Sequence, residues 1–223
     1  MSKNSTLAFD VYGTLIDTNG VLNLLETMIG EKAKKFSNRW REKQLEYSFR
    51  RAAMMNYITF AECTLHALEY TCKYYKIDLT QKQKNELMAI YEILPAFDEV
   101  EEALTKLKKK GYRLFAFSNG KGEAVEKLLH HAGIRDLFLG VISVDDIKTF
   151  KPSPGAYAHF LRTSETNGKE SWLISSNPFD VTGSISAGMK SAWIQRSKES
   201  IFDPWEIGPT ITAKSLMDFT DKI

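Results

Sequence analysis

The stretch LAFDVYGTLID, residues 7–17, is an apolar run that ends in the carboxylate of Asp10 and then turns at Gly13. An apolar run of this length before a glycine turn predicts a buried strand of a parallel sheet. Ligands of open α/β sheets bind in a crevice at the carboxyl ends of the strands. Asp10 is therefore a candidate functional carboxylate, although a carboxylate at this place can also do no more than cap the turn.

Four further apolar runs follow residue 95, at residues 113–117, 138–143, 172–175 and 191–194, and helical stretches lie near residues 98–110, 122–132, 154–163 and 181–188. Strands that alternate with helices of this length predict right-handed crossovers and a parallel sheet covered on both faces. Residues 17–94 look helical throughout and hold no convincing strand. The predicted fold is α/β: a doubly wound, Rossmann-like core domain of residues 1–16 and 95–223, with a helical cap domain of residues 17–94 inserted after the first strand.

The predicted insertion carries an arginine among its apolar positions. Phe36, Trp40, Arg41, Leu45 and Phe49 recur at three- and four-residue spacing, which predicts one stripe along a helix. Judged by spacing alone, Arg41 is better explained by an aliphatic stem that packs while the guanidinium reaches water than by ligand binding.

Composition narrows the class of protein. The chain has 223 residues, 43% hydrophobic and 26% charged, within the ordinary globular range. A net charge of +2 gives no reason to expect a nucleic-acid partner. No apolar run has the length of a membrane span, no secretory signal pattern is present, and an unpatterned pair, Cys63 and Cys72, is typical of reduced thiols. A soluble, cytoplasmic protein is expected.

Four polar clusters fall at the predicted carboxyl edge, at residues 10–14, 118–120, 151–152 and 175–180. Their residue types, order and separation resemble the haloacid dehalogenase superfamily, whose nucleophilic aspartate, Ser/Thr, lysine and final acidic motifs follow one another in this way. The resemblance covers almost the whole chain. It implies the core-and-cap architecture already indicated by the pattern of strands and helices.

Two positions depart from the phosphatase branch of that superfamily. Tyr12 stands where those enzymes have a second aspartate, and Ser175 and Ser176 stand where magnesium-dependent relatives have Gly-Asp. Mg²⁺ prefers carboxylate ligands, and too few remain here. These residues, with Asn177 and the segment 39–47, instead resemble the L-2-haloacid dehalogenases, which use neither metal nor cofactor. That likeness reverses the interpretation of Arg41.

The resemblance implies that Asp10 attacks C2 of a short L-2-haloalkanoate, expels halide and forms an ester, which water then hydrolyses to a D-2-hydroxy acid. Lys151 would keep Asp10 ionised, and Arg41 with Asn119 would stabilise the leaving halide. Asp180 and Asn177 would orient or deprotonate the hydrolytic water, and the resemblance does not say which residue does which.

The remaining implied site residues fall into three groups: Ser118 with the helix start after it for the substrate carboxylate; Thr14, Ser175 and Tyr157 as hydrogen-bonding support; and Tyr12, Leu45, Phe60 and Phe179 as an apolar wall that excludes water.

Simpler explanations stay open at this point. Thr14 and Ser175 can be turn residues, Tyr157 an ordinary helix residue, and Asp180 a helix cap. Glu42 replaces the family's usual glutamine and Phe179 its usual tryptophan. An inward-facing Glu42 would oppose an anionic substrate, whereas an outward-facing one would not.

The expected partner is a small 2-haloacid. A homodimer through the cap is permitted by apolar residues that we expect to be exposed, such as Met54, Met55 and Tyr57. A superfamily phosphatase that tolerates loss of the second aspartate, and a non-catalytic protein that binds small carboxylates, are the alternatives.

Overall fold

A computed structural model describes residues 5–223 and contains, in that range, a parallel six-stranded sheet. Its strands are β1 (Thr6–Phe9), β2 (Arg113–Ser118), β3 (Gly140–Ser143), β4 (Ser171–Ser175), β5 (Lys190–Ile194) and β6 (Ile211–Ala213). Their order, β3-β2-β1-β4-β5-β6, is that of a doubly wound sheet, with the direction of winding reversed between β1 and β4. The predicted fold class is confirmed, and the reversal places the carboxyl end of β1 at the ligand-binding crevice.

Nine α-helices lie within the described residues: α1 (Asn19–Ile29), α2 (Ala33–Ala53), α3 (Phe60–Tyr75), α4 (Gln81–Ala89), α5 (Val100–Lys109), α6 (Gly122–His131), α7 (Pro154–Thr163), α8 (Pro178–Ser186) and α9 (Leu216–Lys222). The first four lie between β1 and α5, as the helical pattern of residues 17–94 predicts. Capping boxes begin α3, at Thr59 and Glu62, and α4, at Thr80 and Gln83. The domain boundaries stay a prediction, and residues 1–4 of the proposed core lie outside the described part of the chain.

Three elements differ from the sequence prediction. The predicted helix at 181–188 begins earlier, at Pro178, because Asn177 is the N-cap and proline suits the first helical turn. The C-terminal pair β6 and α9 was not predicted, since three strand residues and seven helix residues are too short to show a period.

Side chains from the central strands alternate between two buried clusters. Leu7 and Phe9 of β1 pack in one cluster, whereas Ala8 packs in the other beside Phe117 and Phe160. Because helices cover both faces, the central strands are apolar on both sides rather than alternately polar. Within residues 5–223, no helix combines the length and apolar character needed to cross a bilayer.

The sequence predicts one apolar stripe along α2. This prediction is wrong, because its residues lie on two different faces of the helix. Trp40 is buried against α3, where its Nε1 donates to the carbonyl of Thr64 at 2.8 Å. Phe49 instead packs on Phe179 of α8, with ring centroids 5.1 Å apart. Arg41 belongs to this second face. The helix therefore contacts a cap helix on one side and the sheet edge on the other, which one apolar stripe cannot describe.

Tyr57 is not the exposed residue that the sequence suggested. Its ring stacks on Phe150 with centroids 5.1 Å apart, and its hydroxyl donates to Asp145. Met54 and Met55 are exposed as expected.

Candidate active site

Asp10 is the first residue after β1, and only 7% of its surface is exposed. Its Oδ1 accepts a hydrogen bond from Lys151 Nζ at 2.9 Å. Its Oδ2 accepts from Thr14 Oγ1 at 2.9 Å, Ser175 Oγ at 3.2 Å and Asn177 Nδ2 at 2.7 Å. The carboxyl edge of the sheet therefore gathers the predicted residues around one carboxylate. Thr14 and Ser175 are more than turn residues here.

Lys151 lies between two carboxylates and is 1% exposed. Besides Asp10, its Nζ donates to Asp180 Oδ2 at 2.6 Å and to the carbonyl oxygen of Phe117 at 3.2 Å. These three acceptors match the three donors of an ammonium group. Burial alone would lower the pKa of Lys151, but the facing charges of Asp10 and Asp180 raise it above its ordinary value. The lysine is therefore a fixed positive charge.

The two carboxylates differ in acidity. Burial would raise the pKa of Asp10, but the charge and hydrogen bond of Lys151, with hydrogen bonds from Thr14 and Asn177, hold it below its ordinary value. Burial raises the pKa of Asp180 to about 6, because the nearby charge of Asp10 adds to it and Lys151 only partly offsets both. Asp10 is thus an anion near neutral pH, and Asp180 can exchange a proton there.

Tyr157 of α7 fixes Asp180. Its hydroxyl is within reach of Asp180 Oδ1 at 2.9 Å and of the Asp180 carbonyl oxygen at 3.1 Å, and the ring is fully buried. A Cβ at Gly183 would collide with this hydroxyl and with Pro152. Asp180 therefore contacts Lys151 and Tyr157 and is not the N-cap of α8, which is Asn177, and glycine at 183 is required for the close approach of α7. Nothing in the sequence pattern pointed to Gly183.

Arg41 of α2 reaches the same cluster through Asn177. Its Nη2 donates to Asn177 Oδ1 at 3.2 Å, so Asn177 joins the arginine to Asp10. Its Nη1 donates to Gln44 Oε1 at 2.6 Å, and Gln44 Nε2 donates to Thr64 Oγ1 at 2.5 Å. Burial lowers the pKa of Arg41. Gln44 was missed, although its spacing of three residues from Arg41 puts both on neighbouring positions of a helix.

The end of β2 carries the other predicted polar pair. Asn119 Oδ1 accepts a hydrogen bond from the backbone N–H of Lys151 at 2.9 Å. Ser118 Oγ accepts from the backbone N–H of Gly120 at 3.1 Å. Both residues lie just before the first turn of α6, where backbone N–H groups favour an anion.

A cavity of about 410 Å³ adjoins the cluster. Tyr12, Arg41, Phe60 and Asn177 line it, as does Gly120. The other residues predicted to bind substrate do not line this cavity; they are Leu45, Ser118, Asn119, Tyr157 and Phe179. Leu45 is half-buried on α2, and Phe179 packs on Phe49 of the same helix. Their role in substrate binding stays a prediction.

The sequence left open on which side of α2 the charge of Glu42 lies. Glu42 faces outward, with 64% of its side chain exposed, and pairs with Arg39 at 3.1 Å. It therefore adds no charge to the cavity. Among residues 5–223, no group of three or more His, Cys, Asp and Glu side chains is arranged to hold a metal ion.

The chain is similar to known proteins over most of its length. A family model described as haloacid dehalogenase-like hydrolase matches residues 5–188. The chain belongs to this family. Among the haloacid dehalogenase-like hydrolases, it is 38% identical to haloacetate dehalogenase H-2 of Moraxella sp. (strain B) over 88% of each chain. It is 33% identical to the (S)-2-haloacid dehalogenase of Pseudomonas sp. (strain YL), over 92% of this chain and 87% of that one.

A solved structure of a haloacid dehalogenase-like hydrolase also superposes closely. It is the L-2-haloacid dehalogenase of Xanthobacter autotrophicus with chloropropionic acid covalently bound. The TM-score is 0.90 at 27% identity, over 99% of this chain and 98% of that one. The resemblance to the L-2-haloacid dehalogenase subfamily is thereby confirmed.

Proposed function

We propose that this protein hydrolyses the carbon–halogen bond of L-2-haloalkanoic acids, and that it releases halide and a D-2-hydroxy acid. The observation that carries the proposal is the state of Asp10. It is buried, its pKa is held below the ordinary value despite burial, and Lys151 Nζ lies 2.9 Å from its Oδ1. An anionic carboxylate at the sheet edge is a nucleophile that needs no base to activate it.

In the first step, an oxygen of Asp10 bonds to C2 of the haloacid while the bond from C2 to the halogen breaks. The halide departs with the electron pair, and the configuration at C2 inverts. Among the described residues, Oδ1 accepts one hydrogen bond and Oδ2 accepts three. Oδ1 therefore keeps the freer lone pairs and is the nucleophilic oxygen of the proposal.

In the second step, water attacks the ester carbonyl carbon of Asp10, and negative charge develops on Oδ2. Thr14, Ser175 and Asn177 each donate to that oxygen, so they form a ready-made oxyanion hole. Asp180 takes a proton from the water and returns one to the departing hydroxy acid. The bond between the ester carbonyl carbon and Oδ1 breaks, so Oδ1 leaves as the hydroxyl oxygen of the hydroxy acid. The second proton of the water is released to solvent, and the carboxylate of Asp10 is restored with one water oxygen.

The carboxylate of the substrate and the leaving halide both need positively charged groups or hydrogen-bond donors beside them. Arg41, linked to Asn177 beside the nucleophile, is assigned with Asn119 to the leaving halide, where donors act chiefly in the transition state. Ser118 and the N–H groups at the start of α6 are assigned to the substrate carboxylate.

The direct experiment is incubation of the purified protein, with EDTA present, with L-2-chloropropionate, L-2-bromopropionate, chloroacetate and para-nitrophenyl phosphate. Ion chromatography is expected to record halide release that survives chelation, with Asp10→Asn as the inactive control. Phosphate release that depends on magnesium, or binding of the haloacids without turnover, would each contradict the proposal.

We also propose that the protein is a homodimer in the cytoplasm. The thiols of Cys63 and Cys72 are both buried and form no disulfide, which is compatible with a reducing compartment. Exposed Met54 and Met55 near the end of α2 provide an apolar surface for a second copy. Light scattering of the purified chain measures the oligomeric state directly.

A further inference from the structure

The cavity beside Asp10 is larger than a short haloacid needs. Its volume of about 410 Å³ lies in the range of about 300–1,000 Å³ that is typical of pockets for much bigger organic ligands. It starts at Gly120 and Asn177, next to the nucleophile, and extends between α1 and the end of α4. A haloacid of two or three carbons leaves most of this space to water.

Part of the cavity has an apolar wall, here named the aromatic chamber, formed by Tyr12, Val21, Leu22, Trp40, Met88 and Tyr91. Tyr91 is its centre, with its ring edge-to-face on Tyr12 at 5.9 Å and on Trp40 at 6.0 Å between centroids. Rings in this arrangement stabilise one another and hold a fixed surface. Water against this apolar wall makes few hydrogen bonds, so an apolar group that packs there displaces it favourably.

The two tyrosines of the chamber stay neutral. Burial raises the pKa of Tyr91 to about 12, with the charge of Arg41 acting against it. Burial also raises the pKa of Tyr12 above its ordinary value. Neither ring therefore brings negative charge that would repel an acid.

Few of the residues that line the cavity carry a charge. Arg41 stands at the inner end beside Asn177, while the exposed side chains of Lys34, Glu92 and Lys121 form the rim. This distribution fits a ligand that has one anionic head near the nucleophile and an uncharged, apolar body.

We propose that the aromatic chamber binds the C3 substituent of larger 2-haloacids, so that substrates with a butyl or benzyl group on C2 are preferred over 2-halopropionates. The inference rests on the proposed function, because the chemistry at Asp10 is the same. The preference for larger 2-haloacids comes from burial of their apolar surface, which strengthens binding about fourfold for each buried methylene.

The test measures bromide released from L-2-bromopropionate, L-2-bromohexanoate and L-2-bromo-3-phenylpropionate by the wild-type protein. A higher kcat/KM for the two larger acids is expected. If only L-2-bromopropionate is turned over, the chamber proposal is overturned and the dehalogenase proposal stands. If none of the three releases bromide, the proposed function itself fails.

Filling the chamber gives a second, independent readout. Met88→Trp and Leu22→Trp, on different helices, are each expected to lower the ratio of kcat/KM for L-2-bromohexanoate to that for L-2-bromopropionate at least tenfold. Glu86→Trp, at an exposed position of the same helix as Met88, is the matched control and leaves the ratio unchanged. An unaltered ratio in both folded filling variants, or an equal loss for both substrates, overturns the proposal; the equal loss would identify a passage rather than a binding site.

Discussion

Gln44 is expected to influence the displacement step through Arg41, whose guanidinium it holds in place. It is 3% exposed and connects Arg41 to α3, because it accepts from Arg41 Nη1 at 2.6 Å and donates to Thr64 Oγ1 at 2.5 Å. Gln44→Met keeps the length of the side chain but removes both hydrogen bonds. Arg41 then loses one of the two contacts that fix its guanidinium beside Asn177.

The size of the effect follows from the charge on the arginine. A hydrogen bond to a charged group contributes about 1.5–3 kcal/mol. If the whole of it orients Arg41 for the displacement step, that step slows by about 10- to 150-fold.

The assay is a rapid-quench single turnover that follows halide release, with L-2-chloropropionate and L-2-bromopropionate compared in each variant. Chloride is the poorer leaving group and depends more on Arg41, so the loss should be larger for the chloro acid. Ser48→Ala is the matched control: Ser48 lies one turn along the same buried face of α2, and its Oγ donates to the Leu45 carbonyl. Equal halide release by wild type and a folded Gln44→Met variant would refute the positioning role.

Three further changes test the charges and the packing of the site. Because Asp180 must be ionised to accept a proton, kcat is expected to fall as the pH drops below about 6. Tyr157→Phe removes a hydrogen bond that lowers the pKa of Asp180, so the acidic limb of the pH profile is expected to move to higher pH. Lys151→Met leaves Asp10 and Asp180 buried without a cation, so halide release should be abolished and stability at pH 8 should fall by about 3–5 kcal/mol in urea unfolding. That deficit shrinks as the pH is lowered, because protonation neutralises both carboxylates; a constant deficit would contradict the assigned charges. Gly183→Ala forces a methyl group onto Tyr157 and is expected to cost about 1–3 kcal/mol of stability, measured by thermal unfolding against Ser186→Ala on the same helix.

The central part of the fold and site could be predicted because parallel strands share one edge. Asp10, Ser118 and Ser175 each stand at the end of an apolar run, and a doubly wound sheet brings such ends together regardless of the distance between them in the chain. The strand ends therefore predict that these three residues lie together, whereas Lys151 lies in a turn beyond β3 and its place beside Asp10 was implied by the family resemblance.

The cap side of the site could not be predicted in the same way. Gln44 is a polar residue on the buried face of α2, where an apolar pattern is expected, and Tyr91 follows α4 in a short helical turn. Their contacts depend on how the cap helices pack against one another and against the sheet, which helical periodicity does not determine. The outward direction of Glu42 depends on the same packing.

The most direct measurement is a single turnover with enzyme in excess over L-2-bromopropionate in ¹⁸O-labelled water, followed by mass spectrometry of the peptide that contains Asp10 and of the product. The ester mechanism predicts one ¹⁸O atom in the Asp10 side chain and an unlabelled hydroxyl in the lactate. Label in the lactate with none in the peptide would mean that water attacks C2 directly, and the assignment of Asp10 as nucleophile would be wrong.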